Sequence, residues 1–208
     1  MLLRWIVGGE YGFPLGSGLR TAITQRLEWQ VPDRVFIGTD FHLDWLYAAL
    51  LHVSGRWPLE TPVTAADLAT SSGKPVDSVL TASPEDLDLL LCWHYQGGYR
   101  MILIEAKAYG SWDNAQLTSK IKRLSAVFGQ DGQAFPFITP KFVLTSLRPP
   151  QKVSVVGWPA WAVDAEKPVH LQMPSPSRLR YQTERCDEIG RRRRNQGYWR
   201  IRKSPGQL

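Results

Sequence analysis

An α/β fold, with a mixed central sheet flanked by helices, is predicted by three observations on the chain. The first is a pair of apolar runs, Leu87-Asp88-Leu89-Leu90-Leu91-Cys92-Trp93 and Met101-Ile102-Leu103-Ile104, without alternation, as in strands covered on both faces. Between them Gln96-Gly97-Gly98, flanked by Tyr95 and Tyr99, is a hairpin turn signal. The second is a helix in which Leu117, Ile121, Leu124 and Phe128 fall at i, i+4, i+7 and i+11, one apolar face. The third is a further strand pattern, Lys141 to Leu147, closed by Pro149-Pro150. Their order is strand, hairpin, strand, helix, strand.

The other elements are placed around this series. Residues 8 to 18 are glycine-rich but lack the Gly-Lys-Ser/Thr ending of a phosphate loop and the strand-to-helix setting of a dinucleotide fingerprint, so they are expected to be irregular. Leu19 to Gln30 forms a helix that Pro32 ends. Arg34 to Gly38 is a short strand, and Thr39-Asp40 offers N-cap chemistry for a helix to about Val53, whose apolar face is Leu43, Leu46, Tyr47, Leu50 and Leu51. A Pro/Thr/Ser/Gly connector follows, with a capping-box helix at Thr64-Ala65-Ala66-Asp67, and Pro75 to Ala82 is expected to be the first strand of the sheet. Ser111 is the expected N-cap of the central helix and Gly129 its C′ residue. Beyond Pro150, Val153 to Val156 and Val169 to Met173 have strand character around an aromatic turn, Gly157 to Ala162. Pro174-Ser175-Pro176-Ser177 is a linker. The expected division is an α/β domain over 1–174, with its core motif at 76–147, and a basic extension over 175–208.

Composition narrows the class. The 208 residues are 43% apolar, enough for one sizeable core. Two cysteines, Cys92 and Cys186, make neither a disulfide framework nor a zinc pattern, which fits a reducing, cytoplasmic setting. The apolar start, Met1 to Val7, is too short and interrupted for a signal peptide, and no stretch is long enough to span a membrane. The four histidines lack metal-pair spacing, and there is no Gly-x-Ser-x-Gly elbow. Ten basic and three acidic residues from Arg178 to Lys203 give that segment a net of seven positive charges; subtracting them from the total of +6 leaves −1 elsewhere. The basic excess therefore belongs to the C-terminal segment, where it suits a phosphate backbone.

Charges inside the apolar runs are the candidate chemistry. Side chains alternate across a strand, so Glu105 and Lys107 share a face, as do Asp86 and Asp88. Folding the hairpin back sets Asp88 beside Glu105. Two carboxylates ~4 Å apart repel by about 4 kcal/mol at an effective dielectric near 20, and one lysine offsets only part of that. A divalent cation removes the remainder, and oxygen ligands suit magnesium or manganese.

The segment 84–147 resembles the PD-(D/E)XK nuclease superfamily, whose signature is an acid on one strand and Glu-x-Lys on the next, then a helix and a strand. The resemblance implies a restriction-endonuclease-like αβββαβ core and metal-dependent cleavage of nucleic acid, DNA above all. It implies Asp88, Glu105 and the Ala106 carbonyl as ligands of Mg2+ or Mn2+, with Lys107 positioning the attacking water. Gln116 matches the glutamine that recurs early in the following helix. Pro84-Glu85-Asp86-Leu87-Asp88 departs from a contiguous Pro-Asp doublet; Asp88 is preferred because it lies inside the apolar run, with Asp86 as the alternative. Asp44 is the candidate for the acid that such nucleases often carry on a preceding helix. Lys120 and the tail residues Arg191, Arg192, Arg193, Arg194 and Arg200 are the expected nucleic-acid contacts, the tail ones interleaved with Tyr198 and Trp199. The competing reading of the tail is a solvated arginine loop with Tyr198, Trp199 and Ile201 packed as a last strand. For the whole chain the competitor is a catalytically inactive nucleic-acid-binding or assembly subunit, or a protein–protein adaptor. Oligomeric state stays open, a homodimer included.

Overall fold

The computed structural model describes residues 15–57, 85–107, 111–173, 180–193 and 197–204. Two compact units divide the chain, Met1–Met173 and Pro174–Leu208. The first contains helix α1 (Ser17–Leu27), strand β1 (Phe36–His42), helix α2 (Leu43–Val53), strands β2 (Asp86–Tyr95) and β3 (Gly98–Lys107), helix α3 (Asn114–Phe128) and strand β4 (Ile138–Ser146). A 3-10 turn at Ala160–Ala162, a small hairpin of β5 (Val163–Asp164) with β6 (Lys167–Pro168), and strand β7 (His170–Gln172) complete it. The second unit is a hairpin of β8 (Arg180–Cys186) and β9 (Tyr198–Ser204).

The chain is α/β, with a mixed sheet of five strands in the order β1-β2-β3-β4-β7. The first three form an antiparallel meander, after which α3 carries the chain across so that β4 lies parallel to β3, and β7 parallel to β4. Both sheet faces are covered, which explains the unbroken apolar runs. Leu90, Leu103, Phe142 and Leu144 pack on the side of α2 and α3, where Leu46, Leu50, Leu117, Ile121, Leu124 and Phe128 complete the core. Leu91, Ile102, Ile104 and Val143 pack on the other side, with Ile23 of α1. No helix among the described residues is long and apolar enough to cross a membrane.

Several boundaries differ from the sequence expectation. Thr39 and Asp40 do not cap α2, because β1 continues through them: Thr39 pairs with Leu89 and Phe41 with Leu87, and the ladder carries the chain to His42 before the helix begins. The cap of α3 is Asp113, not Ser111; its Oδ1 accepts the backbone N–H groups of Ala115 at 2.8 Å and Gln116 at 3.4 Å. Val153 to Val156 is not a strand. Ser154 donates its backbone N–H to Asn114 Oδ1 at 3.0 Å, and Val153 and Val155 pack on the α2/α3 core, so this segment seals the start of α3 instead of extending the sheet. The strand expected at 75–82 and the capping-box helix at 64–67 fall outside the described residues. The strand that neighbours β2 on its far side from β3 is β1.

The β2–β3 turn is tight, with Tyr95 paired to Gly98 and both central residues at positive φ, Gln96 at 48° and Gly97 at 82°. That is the primed geometry that matches the twist of the flanking strands. Gly98 has a separate role, since a Cβ there would lie 2.8 Å from the Phe137 carbonyl oxygen, which accepts the Tyr99 N–H at 2.7 Å. Urea unfolding is expected to separate the two positions. Gly98→Ala should lower stability by about 1–3 kcal/mol through overpacking, whereas Gln96→Asn should raise it by a few tenths of a kcal/mol, since asparagine tolerates the left-handed region.

Candidate functional site

Carboxylates gather where β2 parts from β3. The ladder runs to the pair Leu89–Ile104, and beyond it the Asp88 side chain takes the position of a strand carbonyl: its Oδ2 accepts the Ala106 N–H at 2.6 Å. Glu105 follows Leu103 on the α2/α3 face by strand alternation, so its carboxylate enters apolar surroundings and is only 9% exposed. The partner that makes this tolerable comes from α3. Lys120 lies one residue before Ile121 and three after Leu117, so its four-carbon stem joins the apolar stripe and the residue is 3% exposed. Its Nζ donates to Glu105 Oε2 and to the Asp86 backbone oxygen, each at 2.5 Å.

One helical turn on, Arg123 is buried too and binds two further acids: Asp44 in the first turn of α2, and Glu85 Oε2 at 3.3 Å, just before β2. Helix α3 thus ties α2 and the start of β2 to the end of β3. Three carboxylates, those of Asp44, Glu85 and Glu105, pair with two buried cations, Lys120 and Arg123, and Asp88 adjoins this group through the Ala106 N–H. Burial pushes the Glu105 pKa above its ordinary value; the Lys120 hydrogen bond and charge pull it back, and the Asp88 and Glu85 charges push it up further. Glu85 is raised by burial and moderated by Lys120, while burial lowers the Arg123 pKa.

The cation on Glu105 is therefore Lys120, where sequence parity had pointed to Lys107. Lys107 shares the strand face but is half-buried, with its ammonium 5.7 Å from the centre of the Trp112 ring. Nor does Lys120 reach outward to a phosphate, since its ammonium is spent within the protein. Asp86 sends its backbone oxygen to Lys120, while its carboxylate lies 3.0 Å from His42 Nδ1. Asp44 is held by Arg123. Gln116 is exposed in the first turn of α3, where its backbone N–H donates to Asp113 Oδ1. Glu85 and Arg123 were missed as members of this network; on a helical wheel Lys120 and Arg123 fall beside the stripe of Leu117, Ile121 and Leu124, and the signal that draws Lys120 into the core is Val127, which lies beyond it on the same side.

Among the described residues no three carboxylate, imidazole or thiol groups form a ready-made metal cage. The donors that are present still suit a hard cation that keeps much of its water. Magnesium is commonly held by one or two carboxylates plus substrate phosphate. Asp88 offers an oxygen beyond the one engaged by Ala106, and Glu105 one beyond that engaged by Lys120.

The second unit has its own charge arrangement. Glu184 on β8 binds Arg200 of β9, Nη2 at 2.5 Å and Nε at 2.7 Å, and stands 3.8 Å from Arg192 Nε. The Arg200 hydrogen bond, with the nearby arginine charges, holds the Glu184 pKa below the usual carboxylate range. Two of the expected nucleic-acid contacts thus share an acid. Arg194 lies outside the described residues. Comparisons with protein-family models, with curated proteins and with solved structures found no match to the chain.

Removing Lys120 tests the electrostatic account. Lys120→Met should destabilise the protein by about 3–5 kcal/mol near neutral pH by leaving Glu105 buried and uncompensated. A carboxyl with a raised folded pKa subtracts stability above that pKa, and the penalty is withdrawn as pH falls through it. The deficit of Lys120→Met in thermal melts should accordingly shrink on acidification, and Glu105→Gln in the same chain should restore most of it at neutral pH.

Proposed function

We propose that this chain is a metal-dependent nuclease that hydrolyses phosphodiester bonds of nucleic acid, with DNA as the preferred substrate. The observation that carries the reading is the meeting of Asp88 and Glu105, acids of adjacent apolar strands, at the end of the sheet, with Asp88 fixed by the Ala106 N–H. Further support comes from chain order. An antiparallel meander, a crossover helix and a parallel fourth strand fit a restriction-endonuclease-like αβββαβ core, with α2 inserted between β1 and β2.

In this reading Asp88, Glu105 and the Ala106 carbonyl hold one or two magnesium or manganese ions. Such an ion, when bound, polarises the phosphate and makes its water a stronger nucleophile. Lys107, on the same strand face as Glu105, orients the attacking water and shares the developing negative charge. Lys120 keeps Glu105 ionised and aimed. Gln116, exposed at the start of α3, is available to a phosphate or to water. The raised Glu105 pKa means that protons compete for this carboxylate above the ordinary glutamate range, so activity should be lost with falling pH earlier than for a free glutamate.

A second reading, a non-catalytic nucleic-acid-binding or assembly subunit, is favoured by the contact of Lys120 with Glu105, which already neutralises one of the two acids. Nicking of DNA with added Mg2+ or Mn2+ separates the two. Asp88→Asn and Glu105→Gln should abolish cleavage, and Lys107→Ala should slow it by about 10²–10³-fold with DNA affinity retained. Wild-type protein that binds but cuts neither duplex, single-stranded nor branched DNA, nor RNA, would sink the nuclease reading in favour of the second.

A further inference from the structure

The β8–β9 hairpin has two chemically distinct faces. In its antiparallel register Thr183 pairs with Ile201, Glu184 with Arg200, Arg185 with Trp199 and Cys186 with Tyr198. Paired residues project to the same side and neighbours along a strand to opposite sides. One face therefore carries Glu184, Cys186, Tyr198 and Arg200, and the other Thr183, Arg185, Trp199 and Ile201. The arginine run adds to both. It folds back along the free edge of β8 through a bridge of Cys186 with Arg192, the Asp187 N–H bonding to the Arg191 carbonyl at 2.9 Å and the Arg193 N–H to the Arg185 carbonyl at 3.1 Å. Alternation from that bridge sends Arg192 to the Glu184 face, in agreement with its 3.8 Å approach to that acid, and Arg191 and Arg193 to the face of Trp199.

On the Glu184 face the acid is engaged by Arg200 and Arg192, and Cys186 is 3% exposed and Tyr198 54%. The other face presents the larger exposed apolar surface. Trp199 is 61% exposed and Ile201 71%, with the Arg185 guanidinium 4.9 Å from the centre of the Trp199 ring. Arg185, Arg191 and Arg193 are exposed and make no ion pair with a described carboxylate. Asp187, at the end of this face, spends Oδ1 on the backbone N–H groups of Ile189 and Arg191. An aromatic surface bordered by guanidinium groups that pair with no described carboxylate, in a segment of net charge +7, is complementary to an anionic polymer with planar faces to stack.

The geometry points to the Trp199 face of the β8–β9 hairpin as a platform for nucleic acid with unpaired bases, a base stacking on Trp199 while Arg185, Arg191 and Arg193 contact the flanking phosphates. This names the partner of the second unit. It shares with the nuclease reading only the premise that nucleic acid is bound, and not the cleavage chemistry. A sheet face with aromatic stacking and arginine-held backbone is sequence-tolerant, because every base has a π-face.

The test is fluorescence anisotropy with a labelled oligothymidylate and a duplex of the same length, on the full chain in EDTA, where metal-dependent cleavage cannot contribute. The single strand should bind more tightly than the duplex. Trp199→Ala should weaken single-strand binding about tenfold, and Trp199→Phe should recover most of the loss. Arg193→Ala should flatten the dependence of log affinity on log salt by about 0.7. Tyr198→Ala, on the opposite face, should change affinity less than twofold. Equal loss from Tyr198→Ala and Trp199→Ala, or tighter binding to duplex, overturns the assignment. So does a full chain that binds neither probe but dissociates from a dimer on Trp199→Ala, an outcome that assigns the face to a second copy. Because Asp88→Asn leaves this face intact, binding by that variant without cleavage keeps the two proposals apart.

Discussion

A carboxylate buried at the end of a central strand constrains this molecule more than any other group. Glu105 cannot stay charged in apolar surroundings without a partner, and its partner, Lys120, comes from the helix that crosses from β3 to β4. The pair therefore selects the rotation of α3 about its axis as well as its height on the sheet. Apolar packing by Leu117, Ile121, Leu124 and Phe128 would tolerate small slides of the helix; an ammonium that must reach both Glu105 Oε2 and the Asp86 carbonyl tolerates far fewer. Arg123 repeats the device one turn along, towards Asp44 and Glu85.

The same contacts that orient the helix leave acidic capacity unspent. Asp88 is committed to the Ala106 N–H through one oxygen, and Glu105 to Lys120 through one, so each retains an acceptor at the sheet end. Sheet, helix and acids form one electrostatic unit in which burial raises the Glu105 pKa and neighbouring cations moderate it. A proton and the lysine are then alternative ways of balancing one carboxylate, and pH acts on that group directly.

Charge is divided between the units as sharply as packing is. Outside the segment from Arg178 to Lys203 the chain is nearly neutral, and its buried charges are matched locally; within that segment the excess is seven. Glu184 engages Arg200 and Arg192 on one face of the hairpin, while Arg185, Arg191 and Arg193 lie on the other beside exposed Trp199 and Ile201. Setting the exposed tryptophan among arginines on one face gives a two-stranded ribbon a direction for contact that composition alone does not supply.

The α/β class, the β2–β3 hairpin, the apolar face of α3 and the fourth strand were legible in the sequence, because continuous apolar runs, a Gly-Gly turn and 3.6-residue spacing are local consequences of burial and backbone geometry. Asp88 and Glu105 could be singled out for the same reason, as charges interrupting such runs. Which cation meets Glu105 was decided by tertiary structure alone. Lys107 and Lys120 are 2 and 15 residues away along the chain, and only the docking of α3 on the sheet brings the distant one to 2.5 Å while the near one turns to Trp112. The caps and the end of β1 were settled in the same way, by ladder pairing that outweighs the capping preference of Thr39-Asp40. Local pattern determines which side chains share a face; the partner each one finds depends on elements far away in sequence, and no period or spacing encodes that meeting.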